Sequence, residues 1–268
     1  MSKLIMISPA SIPRLFLPSD LGSSLSVWLD AADAGTIVLD GSKVSQWRDK
    51  SGNGPHMTAL GSQPTLAANS LNGLNTIAFD NRSVTQTLTS AYSYPGTDIT
   101  LVSLAYSSRL GGRTNFPRLW SMNATGQKDF DNTNGLLMLY GVGSPNNASM
   151  YRNNSVAVQS TINTNAQWAF HVGTKSGGST TFSTNGETRV NGSTSSAALG
   201  FNVIRIGNDT EAQDSGLFGN VAEAMIFSRA LNLSQQQLIE GYLAHKWGLT
   251  GNLPPAHPFK TRPPLVTD

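Results

Sequence analysis

Glu223 is the residue whose type and position come nearest to catalytic chemistry. It lies in a strand-like run over residues 221–227 and is one of four glutamates in the chain. A glycoside hydrolase needs two carboxyl groups flanking the bond that breaks, roughly 5 to 9.5 Å apart. Strand alternation places Val221, Met225 and Phe227 on the face of Glu223, and no second acid. We therefore expect Glu223 to be a hydrogen-bonded structural residue, and the sequence nominates no catalytic residue.

Calcium is the one metal that the acidic residues suggest, because hard cations bind Asp, Asn and carbonyl oxygens. The candidate ligands fall in two loop-like segments and are Asp129, Asp131 and Asn132, followed by Asp209 and Asp214. Neither segment completes a known calcium loop, and Asx side chains in turns normally bond their own backbone. The histidines show no ligand spacing, so we expect His171, on a probable strand, to be hydrogen-bonded or exposed. No other cofactor is indicated.

Sugar binding would use an exposed aromatic ring with a few polar neighbours that bond hydroxyl groups. The candidates for a glycan platform are four aromatic residues in loop-like segments, namely Tyr92, Tyr94, Trp120 and Tyr151. Trp28, Trp47 and Trp168 lie in strand patterns, and we assign them to the core.

The elements that position these residues are mostly strands. Ser, Thr, Asn and Gly make up 104 of the 268 residues, and only 13% of the chain is charged. Such residues favour turns and solvent-facing strand positions over helices, so an all-helical fold is excluded. The net charge of +2 comes without any run of Lys and Arg, and therefore does not indicate a nucleic-acid partner. The absence of cysteine excludes disulfides and Cys-based zinc sites.

Two local patterns predict definite structure. Asn185 and Gly186 both tolerate positive φ, which predicts a two-residue hairpin between residues 180–184 and 187–190. A helix is predicted over residues 235–247, with Ser234 as its N-cap and an apolar stripe that includes Leu238, Tyr242 and Leu243. Gly248 stands where a left-handed C-cap belongs.

The first 20 residues contain three prolines among large apolar side chains, which predicts an extended N-terminal arm. Exposed apolar side chains are unfavourable, so we expect the arm to dock on another subunit of an oligomeric assembly. The expected docking residues are Ile5, Ile7, Ile12, Leu15, Phe16 and Leu17. Residues 254–268 are predicted to be a Pro-rich tail. No signal-peptide core or membrane-spanning segment is recognised in the sequence.

Residues 27–33, 44–54 and 71–80 resemble the opening of laminin-G-like, concanavalin A-like domains found in phage virion and bacterial surface proteins. Residues 239–249 and 253–259 are similar to the closing helix and tail of the same phage-associated group. The resemblance implies an all-β, concanavalin A-like jelly-roll β-sandwich over residues 21–253, with one short C-terminal α-helix and an extended N-terminal arm. The motifs are specific for the fold and much less so for a ligand.

What the resemblance implies about function is a non-enzymatic virion structural or adhesion protein of a bacteriophage, with a lectin-like domain that contacts host glycan. Its location would be the phage particle, and its partners would be other virion proteins reached through the arm. Two alternatives stay open: an architectural capsid or tail decoration protein without ligand, and a glycan hydrolase. A lectin needs an exposed aromatic in a groove, whereas a hydrolase needs paired acids in a cleft.

Overall fold

The computed structural model describes residues 14–82, 84–108, 116–130, 133–141, 147–209 and 216–268. In this part of the chain one α-helix accompanies 17 strands, which confirms the all-β class with a C-terminal helix. The strands are β1 (Leu25–Asp30), β2 (Ile37–Asp40), β3 (Lys43–Trp47), β4 (Met57–Gly61), β5 (Thr65–Leu71), β6 (Leu74–Asp80), β7 (Gln86–Tyr94), β8 (Ile99–Ser107), β9 (Arg118–Asn123), β10 (Leu136–Tyr140), β11 (Asn147–Arg152), β12 (Ser155–Asn163), β13 (Trp168–Ser176), β14 (Ser179–Thr184), β15 (Val190–Ser193), β16 (Phe201–Ile206) and β17 (Phe218–Phe227). The helix is α1 (Leu233–Lys246), and short 3₁₀ turns cover Pro18–Ser24, Ala34–Thr36 and Thr250–Asn252.

The strands fall into two groups by their antiparallel pairings. The front strands pair in the order β5, β6, β17, β8, β13, β14 and β15, and β1 pairs with the second half of β17. The back strands pair in the order β2, β3, β4, β7, β16, β9, β10, β11 and β12.

The two groups are joined into one sheet. Lys43 of β3 pairs with Thr65 of β5 at one side. At the other side β15 approaches β12 so closely that a Cβ at Gly192 would lie 2.0 Å from the Ala157 carbonyl oxygen, which explains the glycine. The result is a nearly closed, barrel-like sheet rather than two clearly separate sheets. The predicted all-β class is therefore confirmed, whereas the predicted jelly-roll sandwich is not clearly shown.

Two hydrophobic cores hold the layers together. The inner core lies between front and back strands and includes Ile77, Leu101 and Trp120. The outer core lies between the front strands and α1, where Phe170 and Leu243 are buried. Alternation explains both, because successive strand residues face opposite sides of the front strands.

The helix begins two residues earlier than predicted. Asn232, not Ser234, is the N-cap: its side-chain oxygen accepts a hydrogen bond from the Gln235 backbone N–H, and the Gln235 side-chain oxygen accepts one from the Asn232 backbone N–H. Both residue types cap helices well, so sequence alone does not separate them. Gly248 has φ +67°, as the predicted left-handed C-cap requires.

The predicted turn forms at Asn185 and Gly186, which have φ values of 55° and 72°, and the Glu187 backbone N–H donates to the Thr184 carbonyl at 3.1 Å. The predicted second strand is wrong in its start, because β15 begins at Val190 and not at residue 187. Val190 pairs with Phe182, so the register differs from that of the predicted two-residue hairpin.

The described end of the N-terminal arm packs on its own chain. Phe16 is buried in the outer core, and its backbone N–H donates to the Pro264 carbonyl at 3.0 Å. Leu15 pairs with Leu265 of the C-terminal tail, so this part of the arm and the tail brace each other. The prediction that Phe16 docks on another subunit is corrected, because this ring is already covered within the chain.

Leu15 and Leu17 are 58% and 42% exposed, and their docking role stays a prediction. Ile5, Ile7 and Ile12 lie outside the described residues. The tail is also tied to the domain, since Phe259 is buried in the outer core.

No helix in the described ranges is long and apolar enough to cross a bilayer.

Candidate functional site

The outer face of the front strands is divided into two halves. Helix α1 covers one half, where Val102, Leu104, Phe170 and Val172 are buried. Two residues further along the same strands, Tyr106 and Trp168 lie on the same face and are only half-buried. We call these the covered half and the open half. The open half is uncovered by any described element and is the candidate site.

A β-bulge at Ala222 marks the boundary between the halves. Val221 pairs with Ala105, whereas Glu223 pairs with Leu104, so β17 contains one extra residue there. The bulge reverses the alternation of β17. Val221 therefore faces the inner core while Glu223 faces α1, and the predicted grouping of these two side chains on one face is wrong.

An aromatic pair lies at one end of the open half. The rings of Tyr106 and Trp168 have centroids 5.7 Å apart and planes inclined by 48°. Within the described residues neither the Tyr106 hydroxyl nor the Trp168 indole N–H has a hydrogen-bond partner. Half-buried rings with free polar ends are suited to a ligand that has apolar faces and hydroxyl edges.

A groove of about 570 Å³ runs from Tyr106 towards β3, and Trp168 lies next to Tyr106 just beyond its end. Asn220 lies beside Tyr106, and its amide N–H donates to the Thr76 hydroxyl at 2.9 Å, which leaves its carbonyl oxygen directed away from that bond. At the far end the Lys43 ammonium donates to the Thr65 hydroxyl at 3.1 Å. Small side chains such as Ala78 form the floor between these ends.

An exposed ion pair borders the groove. Arg82 binds Asp80 at 2.7 Å and lies over the half-buried Phe218 ring, 4.1 Å from its centroid. The hydrogen bond from Arg82 lowers the pKa of the Asp80 carboxyl. Because these two charges cancel, the ion pair adds no net charge to the groove, and Lys43 is the other charged side chain among its lining residues.

The covered half holds the acids that a hydrolase would need. Asp30 and Glu223 are directly opposite each other on β1 and β17. Lys246 of α1 bridges them, with its Nζ 2.7 Å from Asp30 and 2.8 Å from Glu223. Asp30 lines a cavity of about 720 Å³ together with Trp28 and Tyr242, whereas Glu223 is fully buried and does not line it.

Both oxygens of Glu223 are fully engaged. Oε1 accepts from the Trp28 indole at 2.6 Å and from the Tyr242 hydroxyl at 2.9 Å. Oε2 accepts from Lys246 at 2.8 Å and from the Trp247 indole at 2.6 Å. Burial raises the pKa of Glu223, while the Lys246 charge opposes that shift. This carboxyl fastens the helix to the sheet, as expected of a hydrogen-bonded structural glutamate.

Asp30 is engaged in the same way. Its Oδ1 accepts from the Ala32 backbone N–H and from Lys246, and its Oδ2 accepts from Lys50 at 3.0 Å. Lys50 also binds Asp33 at 2.9 Å, and this hydrogen bond lowers the pKa of Asp33. The two acids are close together, but each is committed to internal partners.

The aromatic residues expected to form a glycan platform do not lie together on an open surface. Trp120 is fully buried, and its indole donates to the Val102 carbonyl at 3.0 Å. Tyr94 is 8% exposed and stacks on Phe201, and burial raises its pKa to about 12. These two predictions are corrected, because a ring inside the core cannot contact a sugar.

The other two candidates are half-buried. Tyr92 packs against the inner core near Phe201, and Tyr151 lies on β11 among the back strands. They are far apart in the strand order and do not form one platform.

The calcium candidates are only partly within the described residues. Asp129 is fully buried and binds Arg118 at 2.8 Å, so its charge is already balanced and its prediction as a calcium ligand is corrected. Asp209 is buried, and its backbone N–H donates to Asn208. Asp131, Asn132 and Asp214 lie outside the described residues. Across the described ranges no group of three acidic or histidine side chains is placed to hold a metal.

His171 is buried and hydrogen-bonded. Its ring nitrogens lie 2.8 Å from the Tyr140 hydroxyl and 3.0 Å from the Thr184 hydroxyl. Burial lowers its pKa to about 3, so the ring is neutral at ordinary pH.

Sequence reasoning missed Tyr106, Trp168 and Asn220. Trp168 was assigned to the core from its strand pattern, and it does pack against the outer core on one side. The available signal was the aromatic and polar ending of two otherwise aliphatic strands, Tyr106 after Leu104 and Trp168 before Phe170.

Comparison with known proteins gives likeness of fold and no family. No family model matches the chain, and no curated protein matches its sequence. Among solved structures, Trypanosoma rangeli sialidase in complex with sialic acid has a TM-score of 0.58 at 13% identity, over 88% of this chain and 36% of that one. Domain 4 of the GH43 extracellular arabinanase of Geobacillus stearothermophilus, in complex with arabinotriose, has a TM-score of 0.55 at 13% identity, over 79% of this chain and 95% of that one.

A GH54 arabinofuranosidase has a TM-score of 0.54 at 11% identity, over 81% of this chain and 58% of that one. The chain therefore spans about a third of the length of the sialidase and nearly the whole of the arabinanase domain. At these identities the likeness concerns the fold: β-structures of glycoside hydrolases and lectin-like domains.

These comparisons overturn the phage interpretation. The three structures described above are glycan-processing enzymes and a glycan-bound domain of one, not virion proteins. The interpretation of the chain as a structural or adhesion protein of a phage virion is therefore wrong, and its location in a phage particle has no support. The resemblance holds at the level of an all-β fold that is shared with glycoside hydrolases and lectin-like domains.

Proposed function

We propose that this chain is a carbohydrate-binding domain whose ligand lies on the open half of the front strands. The observation that carries the proposal is the half-buried Tyr106–Trp168 pair, whose polar ends have no partner among the described residues, at the end of a groove that Tyr106 lines. Ligand sites combine apolar walls with a few placed polar groups, and this groove has both. The fold is also that of a domain that was solved with arabinotriose.

The direct test is binding of the full chain to a glycan array, followed by calorimetry with the glycans that bind. Truncating a ring that is covered by ligand should cost about 1.5 to 3 kcal/mol, or roughly ten- to a hundredfold in affinity. We expect Tyr106→Ala and Trp168→Ala each to weaken binding by at least that lower figure.

Tyr151→Ala is the matched control, because Tyr151 is also a half-buried strand tyrosine but lies among the back strands. An array without hits, or equal losses in the control, would contradict the proposal.

Glycan hydrolysis is the second candidate, because Asp30 and Glu223 form a cross-strand pair of acids and Asp30 lines a cavity. Against it, Lys246 binds both carboxylates, Glu223 does not line the cavity, and each Glu223 oxygen accepts two internal hydrogen bonds. We therefore propose that the domain binds glycan without cleaving it. The test is the release of reducing ends from a polysaccharide. If the wild type releases them and a folded Glu223→Gln variant does not, hydrolysis becomes the favoured function.

We further infer that the nearly closed sheet is a concanavalin A-like jelly roll of the laminin-G-like kind. The support is the division into front and back strands around one inner core. At the β3–β5 side, one residue pair, Lys43 with Thr65, joins the two groups. An experimental structure would test it through the separation of the two groups at β3 and β5.

A further inference from the structure

We propose that the groove binds an extended oligosaccharide lying across the strands, rather than a single terminal sugar. This inference rests on the proposed function and specifies its ligand class. The argument comes from the register of six strands.

A single row of directly paired residues crosses the open half. Lys43 pairs with Thr65, and Thr65 pairs with Ala78. Ala78 pairs with Asn220, Asn220 with Tyr106, and Tyr106 with Trp168. Directly paired residues of antiparallel strands point to the same face, so the whole row faces the same side. Five strand spacings make the row about 24 Å long.

The height of the side chains along the row explains the groove. The large rings stand at one end and Lys43 at the other, while Ala78 and Thr65 leave the middle low. A ligand that stacks on Tyr106 and Trp168 therefore has room to continue towards β3 without displacing a side chain.

Polar groups are spaced along this path. Beyond the rings lies Asn220, whose amide is oriented by its bond to Thr76. At the far end are the Thr65 hydroxyl and the Lys43 ammonium, which are 3.1 Å apart. A compact sugar on the rings would reach Asn220 but not Lys43, whereas a chain of several units would reach both. Groups at the far end contribute only if the ligand is long.

The test is the dependence of affinity on chain length. Linear arabino-, xylo- and cello-oligosaccharides of one to six units, with 3′-sialyllactose as a short, charged probe, would be titrated into the full chain by calorimetry. For the class that binds, we expect affinity to rise at least tenfold between one unit and four or five units, and then to level off.

Ala78→Trp fills the low middle of the row and should reduce the affinity of long oligosaccharides to that of the short ones, while short ones bind as before. Ala68→Trp is the matched control, because Ala68 is an exposed alanine on β5, the strand that pairs with the strand of Ala78, and it is not among the residues that line the groove. Lys43→Ala, an exposed change that leaves the fold intact, gives the same readout at the far end if Ala78→Trp does not fold.

The outcomes separate the two proposals. If a monosaccharide binds as tightly as a hexasaccharide, and Tyr106→Ala still abolishes binding, the proposal of an extended ligand is overturned. The proposed carbohydrate-binding function would stand. Long ligands unaffected by Ala78→Trp and Lys43→Ala would also overturn it. No binding by any probe or on the array would reject both.

Discussion

The covered and open halves of the front strands are made by the same strands but differ in what lies above them. Under α1, the outward residues of β8 and β13 are aliphatic or aromatic and fully buried, as Leu104 and Phe170 are. Two residues further along, Tyr106 and Trp168 are only partly buried, and each has a polar group without a hydrogen-bond partner among the described residues. The strands β8 and β13 continue without interruption across this boundary, so the difference is set by where the helix ends and by the bulge at Ala222 in β17.

The polar groups of the two halves differ in the same way. In the covered half Glu223 has four donors, all from the chain itself. In the open half Asn220 has one internal bond through its amide N–H. A buried carboxylate must be satisfied internally, because leaving it unpaired costs several kcal/mol. A half-exposed amide has water as its partner and can exchange that water for a ligand.

The largest expected effect contrasts neighbouring residues on one strand. Phe170→Ala removes a fully buried ring, which typically costs about 3 to 5 kcal/mol of unfolding free energy. Trp168→Ala, two residues away on the same face, should cost less, because that ring is only partly buried and part of it already faces solvent. Denaturant unfolding of both variants measures the difference. Equal losses would show that the open half is part of the core and not a binding face.

The second effect concerns the helix that covers the other half. Leu243 is fully buried in the outer core, whereas Leu233, at the start of the same helix, is 55% exposed. We expect Leu243→Ala to lower stability by about 2 to 5 kcal/mol and Leu233→Ala to change it little. Thermal melting of the two variants provides the measurement, and an unchanged melting temperature for Leu243→Ala would contradict the packing.

The third effect tests the bridged acids. Glu223→Gln keeps the size of the side chain but removes the charge that Lys246 binds, and one of the four donors is left facing an amide N–H. Disrupting one partner of a buried ion pair costs up to about 3 to 5 kcal/mol, and Asp30 still pairs with Lys246, so we expect a smaller loss than that. Glycan affinity should not change, because the cluster lies in the covered half. A selective loss of glycan affinity or of hydrolysis with unaltered stability would move the functional site to these acids.

Several features of the fold were predictable because they depend on near neighbours in the sequence. The strand-rich class follows from composition, the turn from Asn185-Gly186, and the end of the helix from Gly248. The N-cap at Asn232 was missed by two residues because two good capping residues stand close together.

The candidate site was not predictable from local patterns. Asp30 and Glu223 are far apart in the chain, and only the pairing of β1 with β17 brings them together. The bulge at Ala222 breaks the alternation on which face assignments depend. Exposure of Tyr106 and Trp168 is decided by the extent of α1 and the turns after it, whereas Trp120 and Tyr94 are covered by distant strands. Each of these is a tertiary effect without a signal in the neighbouring residues.

The smallest expected effect comes from the ion pair at the border of the groove. Asp80 and Arg82 are exposed, and solvent screens such pairs, so the pair contributes little to stability. The pKa of Asp80 is lowered by Arg82 in the folded state, so the unfolded chain binds more protons in acid. The contribution of the pair to stability is therefore present above the ordinary pKa of Asp, and it is lost as pH falls through the lower, folded-state pKa.

We expect Arg82→Gln to reduce stability slightly at pH 7, and the difference from the wild type to disappear in strong acid. Chemical denaturation at pH 7 and at about pH 2 to 3, with high salt as a second screen, measures this. A difference that persists in acid would mean that Arg82 acts through its contact with the Phe218 ring, 4.1 Å away, and that this edge of the open half is packed more like the covered half.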